Sequence, residues 1–278
     1  MASSLAPRIA IVTGAASGLG RATAERFVKR GARVILCDLP KSNGEKTERE
    51  LQQMFPSPST RGVVFVPTDV TSPEQVAGAL NAGKNIFGRS IDCVVNCAGI
   101  GLARKTIAEQ REKGDGNARK WLAHNLEAFQ KVLDINVVGT FNVVRLAVEA
   151  MVAAKESDPN FPDGVIVNTA SIAAYDGQIG QVAYSASKGA IVGMTLPLAR
   201  DLAEHGIRAN AIAPGLFQTP LLEGLPDAVQ HKLGSMVPFP SRLGKPDEFA
   251  MLVQSIVENP MINGEVIRID GSLRMPPK

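Results

Sequence analysis

Residues 13–20 read Thr-Gly-Ala-Ala-Ser-Gly-Leu-Gly, between an apolar run that starts at residue 8 and a helical pattern that extends to residue 30. Gly14 permits a tight turn, Gly18 lets the backbone approach a pyrophosphate, and Gly20 lets the helix pack closely against the strand. The helix N-terminus also offers unpaired N–H groups and the positive end of its dipole to phosphates. The stretch therefore predicts a strand–loop–helix unit that binds a dinucleotide. The loop residues expected to contact it are Gly14, Ser17, Gly18, Leu19 and Gly20.

Apolar, β-branched runs continue to alternate with helical patterns along the rest of the chain. The expected strands span residues 8–13, 33–37, 63–66, 91–95, 164–169, 207–213 and 265–269. The expected helices span residues 18–30, 42–54, 73–87, 126–154, 182–205 and 246–258. This order predicts an α/β fold, a doubly wound parallel sheet with helices on both faces, because parallel strands are joined by right-handed helical crossovers. The length of 278 residues suits one dinucleotide-binding catalytic domain over residues 1–278.

The composition excludes several classes of protein. Apolar residues make up 45% of the chain and charged residues 21%, as is usual for a soluble globular protein. The formal net charge of +3 is too small to predict nucleic acid as the main ligand. The three cysteines, Cys37, Cys93 and Cys97, argue against a disulfide framework and lack the further ligands that a metal site needs, so no metal is expected. We expect no membrane span, and residues 1–8 make a poor secretory signal peptide.

Two stretches interrupt the alternating pattern. Residues 101–125 are charged and irregular, and we interpret them as a solvated insertion. Residues 214–244 are rich in Pro, Gly and Leu, and we interpret them as a substrate lid, because long loops in compact domains often carry function.

The acidic residue Asp38 ends the second expected strand and bears on the choice of cofactor. A carboxylate at this position accepts hydrogen bonds from ribose hydroxyls and repels a 2′-phosphate, and the next residue, Leu39, offers no cation. The sequence therefore favours NAD over NADP, although a turn at the end of a strand would also accommodate an Asp. Asp69, after the third strand, is a candidate acceptor for the adenine amino group. The further cofactor contacts expected at these strand ends are Val70, Cys97, Ala98 and Gly99.

The candidate catalytic residues lie in and before the segment Tyr-Ser-Ala-Ser-Lys. Tyr184 and Lys188 are four residues apart and therefore share one helix face. The lysine ammonium is expected to favour the phenolate, which would make Tyr184 a base for a substrate hydroxyl proton. Ser171 ends the fifth expected strand and is placed to hydrogen-bond the reacting oxygen. Asn136, inside an expected helix, is a candidate to hold a water that links Lys188 to solvent.

The substrate pocket is expected between this helix and the lid. A Tyr-x-x-x-Lys pair alone often occurs by chance, and only its combination with the glycine loop, Asp38 and Ser171 is specific. The residues expected at the nicotinamide end of the cofactor are Tyr184, Lys188, Pro214, Gly215, Phe217 and Thr219. The residues expected to contact substrate are Ser171, Gln178, Gln181, Tyr184, Leu216 and Leu222, with Leu221 also in the lid. The histidines His124, His205 and His231 are assigned no catalytic role.

These motifs together resemble the short-chain dehydrogenase/reductase family over nearly the whole chain. The resemblance rests on Thr-Gly-x-x-x-Gly-x-Gly, Asn-x-Ala-Gly at 96–99, Asn136, and Ser171 with Tyr184 and Lys188. It implies a Rossmann-type sheet of seven parallel strands, frequent tetramers, and catalytic roles for Asn136, Ser171, Tyr184 and Lys188.

Longer segments resemble those members of the family that act on 3-hydroxyacyl-CoA, for example residues 213–217 (Ala-Pro-Gly-Leu-Phe) and 263–271 (Asn-Gly-Glu-Val-Ile-Arg-Ile-Asp-Gly). This likeness implies a mitochondrial homotetramer that uses NAD to interconvert 3-hydroxyacyl-CoA and 3-oxoacyl-CoA in fatty acid metabolism. Residues 103–125 depart from that pattern, and their cations could meet CoA phosphates or simply be solvated.

Several alternatives remain at this point. The substrate could be a steroid alcohol or a 3-oxoacyl carrier-protein thioester, although the second would usually require NADP, which Asp38 disfavours. A cytoplasmic location is the alternative to a mitochondrial one. An alternative of another class is a subunit of a mitochondrial tRNA-processing complex, which the near-balanced charge does not directly support.

Overall fold

The fold is taken from a computed structural model, which describes residues 4–55, 62–111, 119–224 and 226–277. Seven strands form the central sheet: β1 (Ile9–Thr13), β2 (Arg33–Asp38), β3 (Val63–Pro67), β4 (Cys93–Asn96), β7 (Gly164–Thr169), β8 (Ile207–Pro214) and β9 (Val266–Ile269). A separate hairpin contains β5 (Ile107–Arg111) and β6 (Arg119–Ala123). The strands of the sheet are parallel, in the order β3-β2-β1-β4-β7-β8-β9. The predicted parallel sheet is thus confirmed, with each expected strand present.

Helices cover both faces of this sheet, as predicted. The α-helices are α1 (Gly18–Lys29), α2 (Gly44–Met54), α3 (Pro73–Phe87), α4 (Leu126–Leu133), α5 (Thr140–Ser157), α6 (Val182–Asp201), α7 (Pro220–Glu223), α8 (Asp227–Ser235) and α9 (Pro246–Glu258). Alternate residues of β1 enter opposite cores, because successive side chains of a strand point to opposite faces. Val12 packs with Phe27 and Phe249 of α1 and α9, whereas Ile11 packs in a cluster that includes Met151 of α5.

The strand order reverses at β1, and this point positions the site. The chain builds β1, β2 and β3 outward in one direction, then returns to place β4 on the other side of β1. Ligands of such sheets bind outside the carboxyl ends of the strands at the reversal. A buried polar row marks these ends: Thr13 donates to Asn96 at 3.3 Å, and Asn96 donates to Asn168 at 3.0 Å. The Thr13 hydroxyl also accepts from the backbone N–H groups of Cys97 and Ala98, and so fixes the loop that follows β4.

The expected helix at 126–154 is interrupted in the structure. Residues Asp134–Gly139 form a π-helical turn between α4 and α5. The whole run Leu126–Ser157 is long and apolar enough to pass for a membrane span by length and composition alone. It packs instead against α3 and α6, and it carries the buried polar residues Asn136 and Asn142. The run is therefore a core helix of this fold.

The two stretches that break the pattern are more regular than expected. The insertion at 101–125 was expected to be irregular, but it contains the antiparallel pair β5–β6, while its residues 112–118 lie outside the described part. The expected lid at 214–244 contains α7 and α8, and its Leu225 also lies outside the described residues.

Candidate active site

The glycine loop forms the floor of a groove at the carboxyl end of β1. Gly14 has a φ of +63°, and a Cβ there would lie 2.9 Å from the Cys97 carbonyl oxygen. A Cβ on Gly20 would lie 2.7 Å from the carbonyl carbon of Gly14, so this close approach requires glycine. The backbone therefore reaches the groove without side chains in the way, as phosphate binding at a helix N-terminus requires.

Asp38 lies at the end of β2 and supports this loop directly. Its Oδ2 accepts a hydrogen bond from the Ala16 N–H at 2.9 Å, and its Oδ1 accepts from the Leu39 N–H at 2.8 Å. The carboxylate is thus held at the groove in one orientation. Asp69 is held in a similar way, because its Oδ1 accepts from the N–H and hydroxyl of Thr71.

The groove has the size and chemistry for a dinucleotide. Its volume is about 540 Å³. The residues around it that we predicted from the sequence are Gly14, Ser17, Gly18, Leu19, Gly20, Asp38, Asp69, Val70, Cys97, Ala98, Gly99 and Thr219. A bare backbone cradle at one end and a fixed carboxylate beside it fit the pyrophosphate and the ribose of a nicotinamide dinucleotide.

A second cavity, of about 390 Å³, adjoins the groove. The residues that border both spaces are Leu19, Cys97, Gly99, Ile100 and Thr219. Three of the predicted catalytic residues, Ser171, Tyr184 and Lys188, line this second cavity, whereas Asn136 lines neither space. Lys188 approaches the shared wall, since a Cβ on Gly99 would lie 3.7 Å from its Nζ. The remaining predicted residues that line it are Gln178, Gln181, Pro214, Gly215, Leu216, Phe217 and Leu222.

The catalytic side chains are held by α6, β7 and the turn after β7. Lys188 is almost fully buried, and its Nζ donates to the Thr169 carbonyl at 2.7 Å and lies 5.8 Å from the centre of the Tyr184 ring. Burial lowers the pKa of Lys188 to about 8. The expected lowering of the Tyr184 pKa is not found: burial raises it, and a hydrogen bond with the Ser171 side chain opposes that increase. The Lys188 ammonium points to the Thr169 carbonyl, so the effect of burial dominates the pKa of Tyr184.

Asn136 occupies the π-helical turn and bonds to the loop after β4. Its Oδ1 accepts from the Ile100 N–H at 2.8 Å, and its Nδ2 donates to the Ile100 carbonyl at 2.9 Å and to the Ser187 hydroxyl at 3.0 Å. Both amide hydrogens are therefore used within the protein, so the water of the expected relay would have to donate to Oδ1, and the relay stays a prediction. The Ser187 hydroxyl in turn donates to the Tyr184 carbonyl at 2.7 Å. Asn136 and Ser187 thus tie the loop after β4 to the catalytic helix.

Phe217 contributes to the cavity mainly as a core residue. Its ring packs edge-to-face on Phe249, with 6.4 Å between centroids, and a Cβ on Gly244 would lie 2.9 Å from it. Sequence reasoning missed other lining residues, notably Leu102 at the base of the insertion and Met275 near the C-terminus. Neither belongs to a motif, so no signal in the sequence pointed to them.

The thiols and histidines carry no acid–base role in this arrangement. Burial raises the pKa of Cys97 to about 11 and that of Cys37 and Cys93 to about 12, so the three thiols stay protonated at neutral pH. None of the three histidines borders either cavity. Among the described residues, no cluster of His, Cys, Asp and Glu could hold a metal ion.

Comparison with known proteins agrees with this geometry. The family model for short chain dehydrogenases matches residues 8–230. The chain is 56% identical over 269 residues to 3-hydroxyacyl-CoA dehydrogenase type-2 of Drosophila melanogaster, covering 97% of this chain and 98% of that one. It is 55% identical to the Homo sapiens protein of the same name, covering 97% and 96%. The crystal structure of 3-hydroxyacyl-CoA dehydrogenase type-2 from Mycobacterium avium superposes with a TM-score of 0.83 at 37% identity, covering 98% of each chain.

Proposed function

Because the chain belongs to the short-chain dehydrogenase family, we propose that it is an NAD-dependent dehydrogenase that interconverts 3-hydroxyacyl-CoA and 3-oxoacyl-CoA. The observation that carries this proposal is the meeting of Ser171, Tyr184 and Lys188 in a largely apolar cavity that adjoins a dinucleotide groove. The similarity to 3-hydroxyacyl-CoA dehydrogenases over 97% of the chain supports the choice of substrate.

The side chains in this cavity would handle the proton of the reacting hydroxyl. When bound, the nicotinamide accepts the hydride from the carbinol carbon. Ser171 would hold the substrate oxygen and Tyr184 Oη would take its proton during oxidation, or return it during reduction. Burial raises the pKa of Tyr184 and the hydrogen bond with Ser171 opposes that increase, so proton removal would depend on further positive charge near the phenol. Lys188 Nζ lies 5.8 Å from the ring centre but donates to the Thr169 carbonyl, so during oxidation this charge would come from the oxidised nicotinamide. The apolar walls would exclude water from the reacting atoms.

The choice of NAD rests on Asp38. Two backbone N–H groups fix its carboxylate at the edge of the groove, where a 2′-phosphate would meet a negative charge that cannot turn away. We expect Asp38→Ala combined with Leu39→Arg to shift the ratio of kcat/KM for NAD and NADP toward NADP by at least about 100-fold, since a like charge is removed and an opposite one added. Steady-state kinetics with both cofactors measures this ratio, and an unchanged ratio would remove Asp38 from the role.

The proposal includes the homotetramer and the mitochondrial location that the family resemblance implies. Apolar side chains along one helical run are open to solvent in the single chain, including Leu126 at 75%, Val138 at 54% and Phe141 at 45% exposure. Such exposure is typical of a subunit interface. Sedimentation equilibrium measures the assembly, and a monomer would contradict it. Import of the full chain into isolated mitochondria tests the location.

The decisive experiment compares two tyrosine variants. NAD reduction is followed with 3-hydroxybutyryl-CoA for the wild-type protein, for Tyr184→Phe, and for Tyr175→Phe, which removes the hydroxyl of the half-exposed second tyrosine. We expect Tyr184→Phe to lose at least about 100-fold in kcat while still binding NADH, because it loses only the proton acceptor. Tyr175→Phe is expected to keep wild-type turnover. If the wild-type protein binds NADH and oxidises steroid alcohols but no acyl-CoA, the proposed substrate is wrong, whereas the proposed chemistry at Tyr184 stands.

A further inference from the structure

The substrate cavity has one wall that comes from the C-terminal end of the chain. Residues 273–277, here called the strap, run past the mouth of the cavity, and Met275 lines it. Leu273 is only 2% exposed and packs with Ile172 and Val237, so the start of the strap is held in the core. The strap is therefore positioned by packing on one side and borders the substrate on the other.

Arg268 of β9 anchors the strap through ion pairs with two neighbouring carboxylates and a hydrogen bond to the strap itself. Its Nε donates to Asp270 at 2.7 Å, and its two terminal nitrogens donate to the two oxygens of Asp176, the shorter bond being 2.6 Å. One of these nitrogens also donates to the Leu273 carbonyl at 3.0 Å. A bidentate guanidinium fixes direction as well as distance. This single side chain therefore joins β9, the strap and the loop that carries Asp176.

The far end of the strap holds that same loop. The Ile179 N–H donates to the Pro277 carbonyl at 3.2 Å, and Gln178 Nε2 donates to the Pro276 carbonyl at 3.1 Å. Gln178 itself lines the cavity. The strap thus contributes Met275 to the wall and also holds Gln178, a second lining residue, in place.

From this arrangement we infer that the strap limits the length of the acyl chain, with Met275 as the contact residue and Arg268 as its positioning residue. The inference rests on the proposed function for the identity of the substrate, but the geometry concerns the cavity alone. A methionine side chain that borders the cavity occupies space that a longer acyl chain would need. Its truncation to alanine would open that space, and one added methylene in an apolar pocket changes kcat/KM by about tenfold or more.

The first test measures chain-length preference. The ratio of kcat/KM for 3-hydroxyoctanoyl-CoA to that for 3-hydroxybutyryl-CoA is compared among the wild-type protein, Met275→Ala and Met261→Ala. We expect Met275→Ala to raise the ratio about tenfold. Met261 is 90% exposed, so its variant is the matched control and should keep the wild-type ratio. A wild-type ratio in Met275→Ala overturns the inference.

A parallel series with 2-octanol and 2-butanol separates this inference from the proposed function. If the wild-type protein oxidises the simple alcohols but no acyl-CoA, the proposed substrate is wrong. The inference about the strap is then tested by the ratio of kcat/KM for 2-octanol to that for 2-butanol, which Met275→Ala should raise about tenfold.

The second test measures how firmly Arg268 holds the strap, with a readout that does not depend on turnover alone. Arg268→Lys keeps the charge but loses the bidentate geometry, so the loop should open more often. We expect the Ile179 amide to exchange with solvent roughly tenfold faster, by hydrogen-exchange mass spectrometry, and KM for the octanoyl substrate to fall relative to KM for the butyryl substrate, because a loosened strap no longer limits the longer chain. Wild-type exchange at Ile179 would overturn the positioning role.

Discussion

Replacement of Lys188 by methionine tests how much stability the folded protein gives up to keep a charged group in its site. Lys188 is 5% exposed, and burial lowers its pKa from an ordinary 10.5 to about 8. Each pKa unit corresponds to about 1.4 kcal/mol, so the buried ammonium costs the folded state about 3 kcal/mol at neutral pH. Methionine fills the same space without charge, but it leaves the Thr169 carbonyl without its donor, which costs about 1 kcal/mol. We therefore expect Lys188→Met to be more stable by about 2 kcal/mol at pH 7, and inactive.

The pH dependence gives the sharper form of this prediction. Below about pH 8 the lysine is protonated in both states, and the folded state carries the full cost. As the pH rises toward 10.5, the folded protein loses this proton before the unfolded chain does, so its free energy of unfolding increases. The variant lacks that increase. The difference in the free energy of unfolding between Lys188→Met and the wild-type protein should therefore shrink by about 2 kcal/mol between pH 7 and about pH 9.5.

Urea unfolding followed by circular dichroism, at one protein concentration and several pH values, measures the difference. Cys37 and Cys93, with raised pKa values, contribute equally to both proteins and cancel. Cys97 interacts with Lys188, but its pKa of about 11 rises further without the ammonium, so its thiol stays largely protonated in both folded proteins up to about pH 9.5 and nearly cancels as well. Lys41→Met, at an exposed position, is the control and should differ from wild type by less than about 0.5 kcal/mol at every pH. A difference between wild type and Lys188→Met that stays constant from pH 7 to about pH 9.5 would refute the reasoning.

Three further substitutions probe the supports of the site. Gly20→Ala would place a methyl against the glycine loop, and we expect NADH affinity to fall at least about tenfold in a fluorescence titration; normal affinity would contradict the close approach. Ser187→Ala leaves one of the two Asn136 Nδ2 hydrogens without its acceptor, so the free energy of unfolding should fall by about 1–2 kcal/mol and kcat should fall with it, whereas Ser187→Thr should restore part of both. Phe217→Ala removes the ring that packs on Phe249, and urea unfolding should show a loss of about 3 kcal/mol; a loss under about 1 kcal/mol would mean that the lid, rather than the core, holds this residue.

The parallel sheet could be predicted from the sequence because its strands are buried on both faces. Such strands read as continuous apolar runs, like Cys93 to Val95, and the crossovers between them contain helices whose apolar residues recur at helical spacing. The hairpin at Ile107–Arg111 and Arg119–Ala123 gave no such signal. Its residues at 107–110 and 120–123 are all exposed, the apolar ones included, so they do not alternate between a buried and a solvated face.

The site could be predicted only where motif and topology coincide. Gly14, Ser171 and Tyr184 lie at strand ends or on the catalytic helix, and the topology alone brings these positions together. Met275 was missed because its place depends on how the strap packs, which no local pattern encodes. The partners of Asn136 were missed for a related reason, since Ile100 is remote in sequence and the hydrogen bonds depend on the π-helical turn.

The π-helical turn holds one residue more than an α-helical turn in about the same rotation. Deletion of one residue at Asp134–Gly139 would therefore return the segment to ordinary α-helical winding and leave α4 against α6 and α5 against α3. The same deletion within α5 would instead turn every residue beyond it by about 100°. What the shortened turn would lose is the place of Asn136, whose side chain bonds both the N–H and the carbonyl of Ile100. The cost of such a change would thus fall on the loop after β4 and not on the packing of the helices.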